Sequence, residues 1–326
     1  MIKRILSFMM SLILIIGFSG CDEKNSALNT DMVKTNIKVS YSNNNDKETV
    51  KALYAFEKKL VEIDESFSVD YSCEENPIED MKNGKCQIAV VDSELLKEYG
   101  NEFFAFTTPF YFISAEQSTM TLNSEKFYDL YEDIFEKNLN SKLLGSVYLT
   151  SDFMIFTNDK LKDLKTDNLK TPVLSPDEEI MINFFGKNNI KISLEENYEN
   201  DNENGEIYIK NIEELSDFFS DKETIYIAEM PLRVNSQWVL INNDYWNSLS
   251  DIKQNHIKDA VSYFCGMAES ERIQEYNNLL FELNKQNINA VFSYCGEIRM
   301  QCQTFVKSNV DKINIDLYSE VINIIS

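Results

Sequence analysis

One segment has residue types and spacing close to those of a metal-binding loop. Asn200, Asn202 and Asn204 alternate ahead of Gly205, as the first ligands and the glycine of a calcium-binding helix–loop–helix loop do. The chemistry would be calcium coordination, but these positions carry amides instead of carboxylates. The twelfth position, which needs a bidentate Glu, is Asn211. We therefore expect an asparagine-rich turn and no metal site.

Groups that catalyse reactions form no recognisable constellation. The sequence has no Gly-rich phosphate loop, no G-x-S-x-G elbow and no H-E-x-x-H pair. His256 is the single histidine, and the 54 acidic residues are too numerous for any carboxylate pair to be informative. We expect neither enzymatic activity nor a cofactor.

Basic groups are scarce in this chain. The formal net charge is −23, which argues against nucleic acid as a partner because phosphate binding needs a basic face. The only arginines are Arg4, Arg233, Arg272 and Arg299. With 43% hydrophobic residues over 326 positions, the chain has material for two domains of ordinary size.

Cys21 lies at the end of a three-part secretory signal. Lys3 and Arg4 begin it, and residues 5–18 are apolar but too few to span the roughly 30 Å core of a bilayer. The sequence from Phe18 to Cys21 (FSGC) resembles a bacterial lipobox, with Phe18 where Leu is usual. Such signals imply a signal peptide over residues 1–20 and a lipidated Cys21. The protein would then be anchored to the extracytoplasmic face of the cell membrane. The alternative is an ordinary secreted protein.

The remaining cysteines say little about chemistry. Their number is odd and none forms a C-x-x-C pair, so a complete internal disulfide set and a zinc site are both unexpected; they are Cys73, Cys86, Cys265, Cys295 and Cys302. A Cys73–Cys86 disulfide and reduced, buried cysteines both stay open.

Apolar periodicity predicts alternating strands and helices. The strands expected in the first half are 37–41, 67–71, 87–91, 143–149 and 153–157. The helices include 50–60 and 124–139, with Ser124 as the cap of the second. A second α/β block is expected over 163–229. Residues 250–286 lack proline and repeat apolar residues at helical spacing, which predicts a helix of roughly 55 Å, long enough to span two domains.

Three longer segments carry a resemblance to a known family. They are FFAFTTPFYF (103–112), LKDLKTDNLKTPV (161–173) and EMPLRVNSQWVLINNDYWNSLSDIKQNHIKDA (229–260). In this order they resemble the extracytoplasmic solute-binding proteins of TRAP-type (tripartite, ATP-independent) transporters. The likeness covers most of residues 35–290, and the last segment is the most specific.

The resemblance implies an α/β fold of two domains, a periplasmic-binding-protein-like clamshell with a long helix spanning both. The expected boundaries are 21–35 for a tether, 36–152 plus 236–260 for domain I, 153–235 for domain II, 250–286 for the spanning helix and 287–326 for a C-terminal segment packing on the body. The implied function is to bind a small, organic-acid-like solute and deliver it to the membrane permease subunits of a TRAP-type transporter. The alternative is a surface lipoprotein that keeps the fold as a sensor or interaction module.

One departure from the family concerns the ligand. The family's arginine, which grips the ligand carboxylate, falls on Pro172. A later segment of the family pattern, GvvDG-Q-E, is also altered here, over Gly205–Asn211. Arg233, on the segment returning from domain II, is therefore the candidate carboxylate anchor. Four further residues are candidates for ligand contact: Phe110, Tyr111, Trp238 and Asn211.

Overall fold

A computed structural model of the chain describes residues 34–42, 47–156, 207–211, 224–285, 289–293, 296, 299–300, 303 and 314–325. The predictions about the signal peptide, Cys21, the asparagine-rich turn and Pro172 concern residues outside these ranges. Most of the proposed domain II also lies outside them, so the division into two domains at those boundaries stays a prediction.

The described strands and helices follow the predicted alternation. The strands are β1 (Thr35–Ser42), β2 (Phe67–Glu74), β3 (Ile88–Asp92), β4 (Ser141–Phe156), β5 (Ile207–Asn211), β6 (Thr224–Ala228), β7 (Arg233–Asn242) and β8 (Asn289–Ser293). The α-helices are α1 (Lys47–Ile63), α2 (Pro77–Lys82), α3 (Ser93–Leu96), α4 (Ala115–Leu122), α5 (Glu125–Leu139), α6 (Asn243–Ser248), α7 (Asp251–Lys285) and α8 (Ile315–Ile325). Two 3₁₀ segments, Lys97–Tyr99 and Asn101–Thr107, follow α3. Ser124 caps α5 as predicted, because its side chain accepts a hydrogen bond from the Phe127 amide at 3.2 Å.

All these strands join one mixed sheet, in the order β2-β1-β3-β7-β4-β6-β8, with β5 also paired to β4. β1 runs parallel to β2 and β3, and β7 runs antiparallel to both β3 and β4. Beyond β4 the sheet continues through β6, which runs parallel to β8. β4 and β7 are therefore the central strands that connect the two sides of the sheet.

β4 is one continuous strand where the sequence predicted two, 143–149 and 153–157. The polar residues between those segments interrupt the apolar pattern, but their backbones pair with β7, up to Asp152 opposite Arg233. The register with β7 shifts twice, which leaves Leu144 and Leu149 as extra residues in β4. Such bulges bend a strand and increase its twist.

The two faces of the sheet are buried in separate apolar cores. On one face, Trp238 lies among aromatic rings contributed by the 3₁₀ segment and α5, with ring centroids 4.9 Å from Phe106 and 5.7 Å from Phe127. On the other face, α1 and α7 cover β1, β3 and β7 through Leu53, Phe56, Val239, Val261 and Phe264. Both helices are held there by burial of their apolar stripes.

The predicted long helix is α7. It runs unbroken for 35 residues and contacts α1, β4 and β8. α7 also shares a core with residues of β1. Since β1 and β8 lie in opposite halves of the sheet, on either side of β4, α7 extends along both halves. Among the described helices, none has the combination of length and apolar content needed to cross a membrane.

No disulfide joins Cys73 to Cys86. Cys73 is exposed, whereas Cys86 is buried. Cys86 and Cys265 are both free thiols. Burial raises the pKa of both Cys86 and Cys265 to about 12. These two side chains therefore act as neutral packing groups.

Candidate functional site

The carboxyl ends of β1, β2 and β3 meet at one edge of the sheet, because these three strands are parallel. Ligands of open α/β sheets bind outside this edge. Ser42, Glu74 and Asp92 are the last residues of the three strands. β7 pairs with β3 only as far as Gln237 opposite Asp92, so its first four residues continue past the end of β3. The ends of β1, β2 and β3 therefore form the base of this edge, and the first four residues of β7 extend past it on one side.

A cavity of about 430 Å³ opens at this edge. That volume is within the range of pockets for small molecules. The cavity is lined by Ser42, Glu75, Asp92, Glu94, Leu95, Lys97, Glu98 and Phe104. Four of these described residues come from the turns directly after β3, where the chain forms α3 and the 3₁₀ segment beside it. Among the described lining side chains, four are acidic and one is basic.

Asp92 is held in place by side chains from two neighbouring strands. Gln237 Nε2 donates to Asp92 Oδ1 at 3.1 Å, and Ser42 Oγ donates to Asp92 Oδ2 at 3.4 Å. Gln237 is fully buried, and its Oε1 accepts from Thr49 Oγ1 at 2.9 Å. Arg272 Nη2 donates in turn to Thr49 Oγ1 at 3.3 Å. A polar chain thus runs from α7 through α1 and β7 to the cavity.

Lys97 is the basic residue within the described part of the lining. Only 7% of its side chain is exposed, and it forms an ion pair with Glu94 one helical turn earlier. The Lys97 ammonium group therefore lies at the cavity, and the Glu94 carboxylate partly neutralises its charge.

Arg233, the predicted carboxylate anchor, begins β7 beyond the end of β3 and is engaged by a carboxylate of the protein itself. Its Nε and Nη2 both lie 3.0 Å from Oδ2 of Asp152, the residue opposite it on β4. Asn235 Nδ2 also approaches that oxygen, at 3.5 Å. One edge of the guanidinium fork is therefore occupied. The side chain keeps 21% of its surface exposed.

Three predicted ligand-contact residues lie in the core of the first face. Phe110 and Trp238 have no exposed surface, and Tyr111 has 1%. The Tyr111 hydroxyl donates to the Tyr318 carbonyl at 3.4 Å, and burial raises the pKa of this phenol well above its ordinary value. None of the three is among the described residues that line the cavity, so any contact with solute stays a prediction. Phe110 has a positive φ of 57°, and its amide donates to the Leu232 carbonyl at 2.6 Å, just ahead of Arg233.

Asn211, the last predicted contact residue, ends β5 and pairs with Asp152 on β4. The residue opposite Arg233 is thus also the backbone partner of Asn211. β4 therefore brings these two predicted site residues to either side of the same aspartate. Their role toward a solute remains a prediction.

Sequence reasoning missed the cavity lining. Asp92 directly follows the buried run IAVV, and a polar residue at the end of a parallel strand is the signal that would have identified it. Glu94, Lys97 and Glu98 follow within two turns and carry no such mark, because charged residues are common throughout the chain.

Comparisons with known proteins agree with this architecture. The family model for bacterial extracellular solute-binding protein, family 7, matches residues 71–316. A comparison with curated sequences gave no match.

Several solved structures share the fold at low sequence identity. A TRAP periplasmic solute-binding protein from Ochrobactrum anthropi, with its C-terminus bound in the ligand-binding pocket, has a TM-score of 0.71 at 14% identity, over 90% of this chain and 95% of that one. An apo, open TRAP periplasmic solute-binding protein from Rhodobacter sphaeroides has a TM-score of 0.70 at 15% identity, over 89% and 98%. The sugar-acid-binding protein of Advenella mimigardefordensis, in complex with galactonate, has a TM-score of 0.63 at 16% identity, over 90% and 98%.

The predicted fold class, an α/β protein like the two-domain periplasmic binding proteins, is confirmed by these structures. The family match extends over most of the chain, including the ends of β2 and β3 at the cavity edge and the long helix α7. The chain shares its fold with TRAP periplasmic solute-binding proteins, and by its family match it belongs to the bacterial extracellular solute-binding proteins of family 7.

Proposed function

We propose that this protein captures a small, organic-acid-like solute outside the cytoplasmic membrane and delivers it to the permease subunits of a TRAP-type transporter. The observation that carries the proposal is the cavity at the carboxyl edge of β1 and β3, whose described lining residues, apart from Ser42, lie within the region that the family model matches. The galactonate complex of a structural relative supports an organic acid as the solute class. Binding would act by favouring the closed state of the two domains, since the solute contacts both.

Arg233 is the residue we propose for the solute carboxylate. It is the first arginine after Arg4, and it lies on the part of β7 that passes the end of β3. The guanidinium group presents donors in a planar fork that matches a carboxylate. A solute carboxylate would take the place of Asp152 on this fork, or bind the edge that Asp152 leaves open.

We further propose that Cys21 carries the lipid that keeps the protein at the membrane surface. The support is the FSGC segment behind an apolar run, at the end of a positively charged start. The proposal includes no enzymatic role. His256, the single histidine, contacts Asp64 at 3.2 Å, and neither residue lines the cavity.

A binding screen tests the main proposal. The full chain, purified from membranes in detergent, is heated with organic acids, amino acids and sugars while unfolding is followed. A solute present at one hundred times its dissociation constant stabilises the folded state by about 2.7 kcal/mol, which gives a clear rise in Tm. A reconstituted permease from the same gene cluster should then transport that solute only when the protein is present. A complete lack of response in the screen contradicts the proposal.

The contact between Arg233 and Asp152 supports a second candidate function. An arginine already engaged by the protein, together with proline at position 172, suits a lipoprotein that keeps the fold as a sensor or interaction module. This candidate predicts that the permease neither requires nor binds the protein, even if a solute raises the Tm.

A further inference from the structure

Phe110 has a backbone conformation that is rare for an aromatic residue. Its φ is 57°, in the left-handed region where the Cβ of an L-residue crowds the neighbouring carbonyl. Among the described residues, the other non-glycine position with a positive φ is Asn140, which ends α5 as a C-cap, a usual place for asparagine in this conformation. Phe110 caps no helix, so contacts from elsewhere in the chain hold it in this conformation.

Three parts of the structure fix Phe110. Its amide donates to the Leu232 carbonyl at 2.6 Å, and its carbonyl accepts a hydrogen bond from Gln303 Nε2 at 3.4 Å. Its ring is fully buried in the aromatic core of the first face. A strained backbone of this kind persists only where the surroundings over-determine it, and such positions cluster at functional sites.

Leu232 connects Phe110 to the start of β7. The Leu232 carbonyl receives the Phe110 amide, and the Leu232 amide donates to the Asp152 carbonyl at 2.7 Å. Both backbone groups of Leu232 are therefore engaged, and its side chain is fully buried. Since Arg233 is the next residue, the direction in which its side chain leaves β7 depends on Phe110 and Asp152.

Asp152 completes this set of contacts through its side chain. Its Oδ2 accepts from Nε and Nη2 of Arg233, while its carbonyl accepts from Leu232. Arg233 is thus held through its own side chain and through the backbone of the residue before it. An arginine that is fixed before the solute arrives loses less conformational entropy on binding. The left-handed turn at Phe110 therefore supports the proposed carboxylate anchor, although the Phe110 ring has no exposed surface.

We propose that Phe110 is a positioning residue for solute binding: its left-handed backbone, bonded to Leu232, sets the position of Arg233 for the solute carboxylate. The inference rests on the proposed function, in which Arg233 receives that carboxylate. The role belongs to the backbone of Phe110, and its ring fills the core. Glycine would adopt the same φ without steric cost, but it would leave the volume of the ring unfilled.

Removing the Phe110 N–H alone tests this role. Phenyllactic acid, incorporated at position 110 of the full chain by nonsense suppression, replaces the amide with an ester and keeps the ring. The same replacement at Phe103 is the matched control, because Phe103 is also a fully buried aromatic residue, and its amide donates to the Gly100 carbonyl at 3.1 Å. Each ester variant loses one backbone hydrogen bond, so the two Tm values should fall by similar amounts.

Two measurements report on Arg233. NMR of isotope-labelled arginine resolves the Nε signals, because only Arg233, Arg272 and Arg299 follow Arg4, and Arg→Lys variants assign them. We expect the Arg233 Nε–H to exchange with solvent at least about ten-fold faster in the ester variant at Phe110 than in the one at Phe103, as loss of one hydrogen bond allows. Arg272 should exchange equally in both.

The second measurement is titration calorimetry with galactonate and galactonamide, which differ in the carboxylate alone. The preference for galactonate should be about ten-fold lower in the ester variant at Phe110, because a misplaced guanidinium group loses its charge-assisted contact. The ester variant at Phe103 should keep the preference of the parent.

Each other outcome rejects the inference in a recognisable way. Equal Arg233 exchange in the two ester variants overturns it and leaves the proposed function intact. Faster exchange with an unchanged preference for galactonate also overturns it, because the position of Arg233 would then not matter to the solute. If the parent binds neither compound, the proposed function fails for this class of solute and the inference fails with it.

A second variant decides the question if the ester variant at Phe110 unfolds. Gln303→Ala releases the Phe110 carbonyl from its side-chain donor and leaves the backbone of the chain intact. It should speed the exchange of the Arg233 Nε–H at least about two-fold, while the exchange of Arg272 stays the same. An unchanged rate at Arg233 overturns the inference.

Discussion

Arg233 directs Nε and Nη2 at a single oxygen of Asp152, each at 3.0 Å. Two donors on one oxygen leave Asp152 Oδ1 outside the fork. A side-on pair in which each donor meets its own oxygen would use the fork fully. A solute carboxylate that offered each donor its own oxygen would therefore match the Arg233 guanidinium group better than Asp152 does.

Removing the charge of Asp152 should make Arg233 more available. We expect Asp152→Asn to raise the affinity for carboxylate-bearing solutes several-fold, since the competing anion is gone. The free energy of unfolding should fall by about 1 kcal/mol or less, as is usual for partly exposed ion pairs. Titration calorimetry and urea unfolding measure the two effects. Asp133→Asn, an exposed acid on α5, is the matched control, and unchanged affinity in Asp152→Asn argues against Arg233 as the anchor.

Replacing the planar guanidinium group of Arg233 with a single ammonium group should have the opposite effect on affinity. Arg233→Lys keeps the charge but loses the planar pair of donors, so affinity for a carboxylate solute should fall about ten-fold or more. The Tm without solute should change little. Equal affinities of the parent and the variant in calorimetry would remove Arg233 from the binding site.

Two glycines should respond to alanine in opposite directions. A Cβ on Gly145 in β4 would lie 2.9 Å from Cys265 Sγ and 3.2 Å from a methyl carbon of Val261, both on α7. Gly145→Ala should therefore destabilise the fold by about 1–3 kcal/mol. A Cβ on Gly266, within α7, would have no neighbouring atom within 4 Å, so Gly266→Ala should stabilise the fold by about 0.5–1 kcal/mol. Urea unfolding of both variants measures the sign of each change in the free energy of unfolding. If Gly145→Ala leaves this free energy unchanged, β4 and α7 move apart easily to accommodate the methyl group.

The described thiols should differ in reactivity. At pH 8, iodoacetamide should modify exposed Cys73 and spare Cys86 and Cys265, whose raised pKa of about 12 keeps them as neutral thiols. Mass spectrometry of the three tryptic peptides gives the extent of labelling, and urea supplies the unfolded control. Labelling of all three at equal rates in the native protein contradicts the described packing.

The lipid anchor is tested at Cys21. Cys21→Ala should either release the protein from membranes or leave an uncleaved precursor, because two acyl chains anchor a protein stably and none can be attached without the thiol. Membrane fractionation with immunoblotting distinguishes these outcomes. A Cys73→Ala variant, which removes an exposed thiol elsewhere, should fractionate like the parent. Unchanged attachment of a processed Cys21→Ala protein rejects lipidation.

Local patterns predicted much of the fold because they depend on short-range periodicity. β1, β2 and β3 lie where alternating or continuous apolar residues indicated, and α5 begins after Ser124 because a serine cap and a helical stripe act together. The sequence predicted β4 as two strands because polar residues break its apolar pattern. In the structure, hydrogen bonding to β7 keeps these residues in one continuous strand. Pairing between distant strands has no local signature.

The site was less accessible from sequence for two physical reasons. Aromatic side chains serve equally in cores and in clefts, so Phe110, Tyr111 and Trp238 carried no sign that they are buried. The acids of the lining are chemically the same as the many others in the chain, and only the meeting of three parallel strand ends selects Asp92. Arg233 was identifiable as a scarce residue, whereas its engagement by Asp152 depends on the register of β4.

The two bulges of β4 have a consequence for insertions and deletions. An extra residue reverses which face the following side chains occupy, and Leu144 and Leu149 together supply two such reversals. The side chains of Leu143 and Asp152 therefore occupy the same faces, relative to each other, as they would in a strand without bulges. Deleting Leu149 alone would turn Asp152 away from Arg233, whereas deleting Leu144 as well would restore the original parity. In homologous sequences, insertions or deletions in this strand should therefore occur as two residues together, and single-residue changes in its length should be absent.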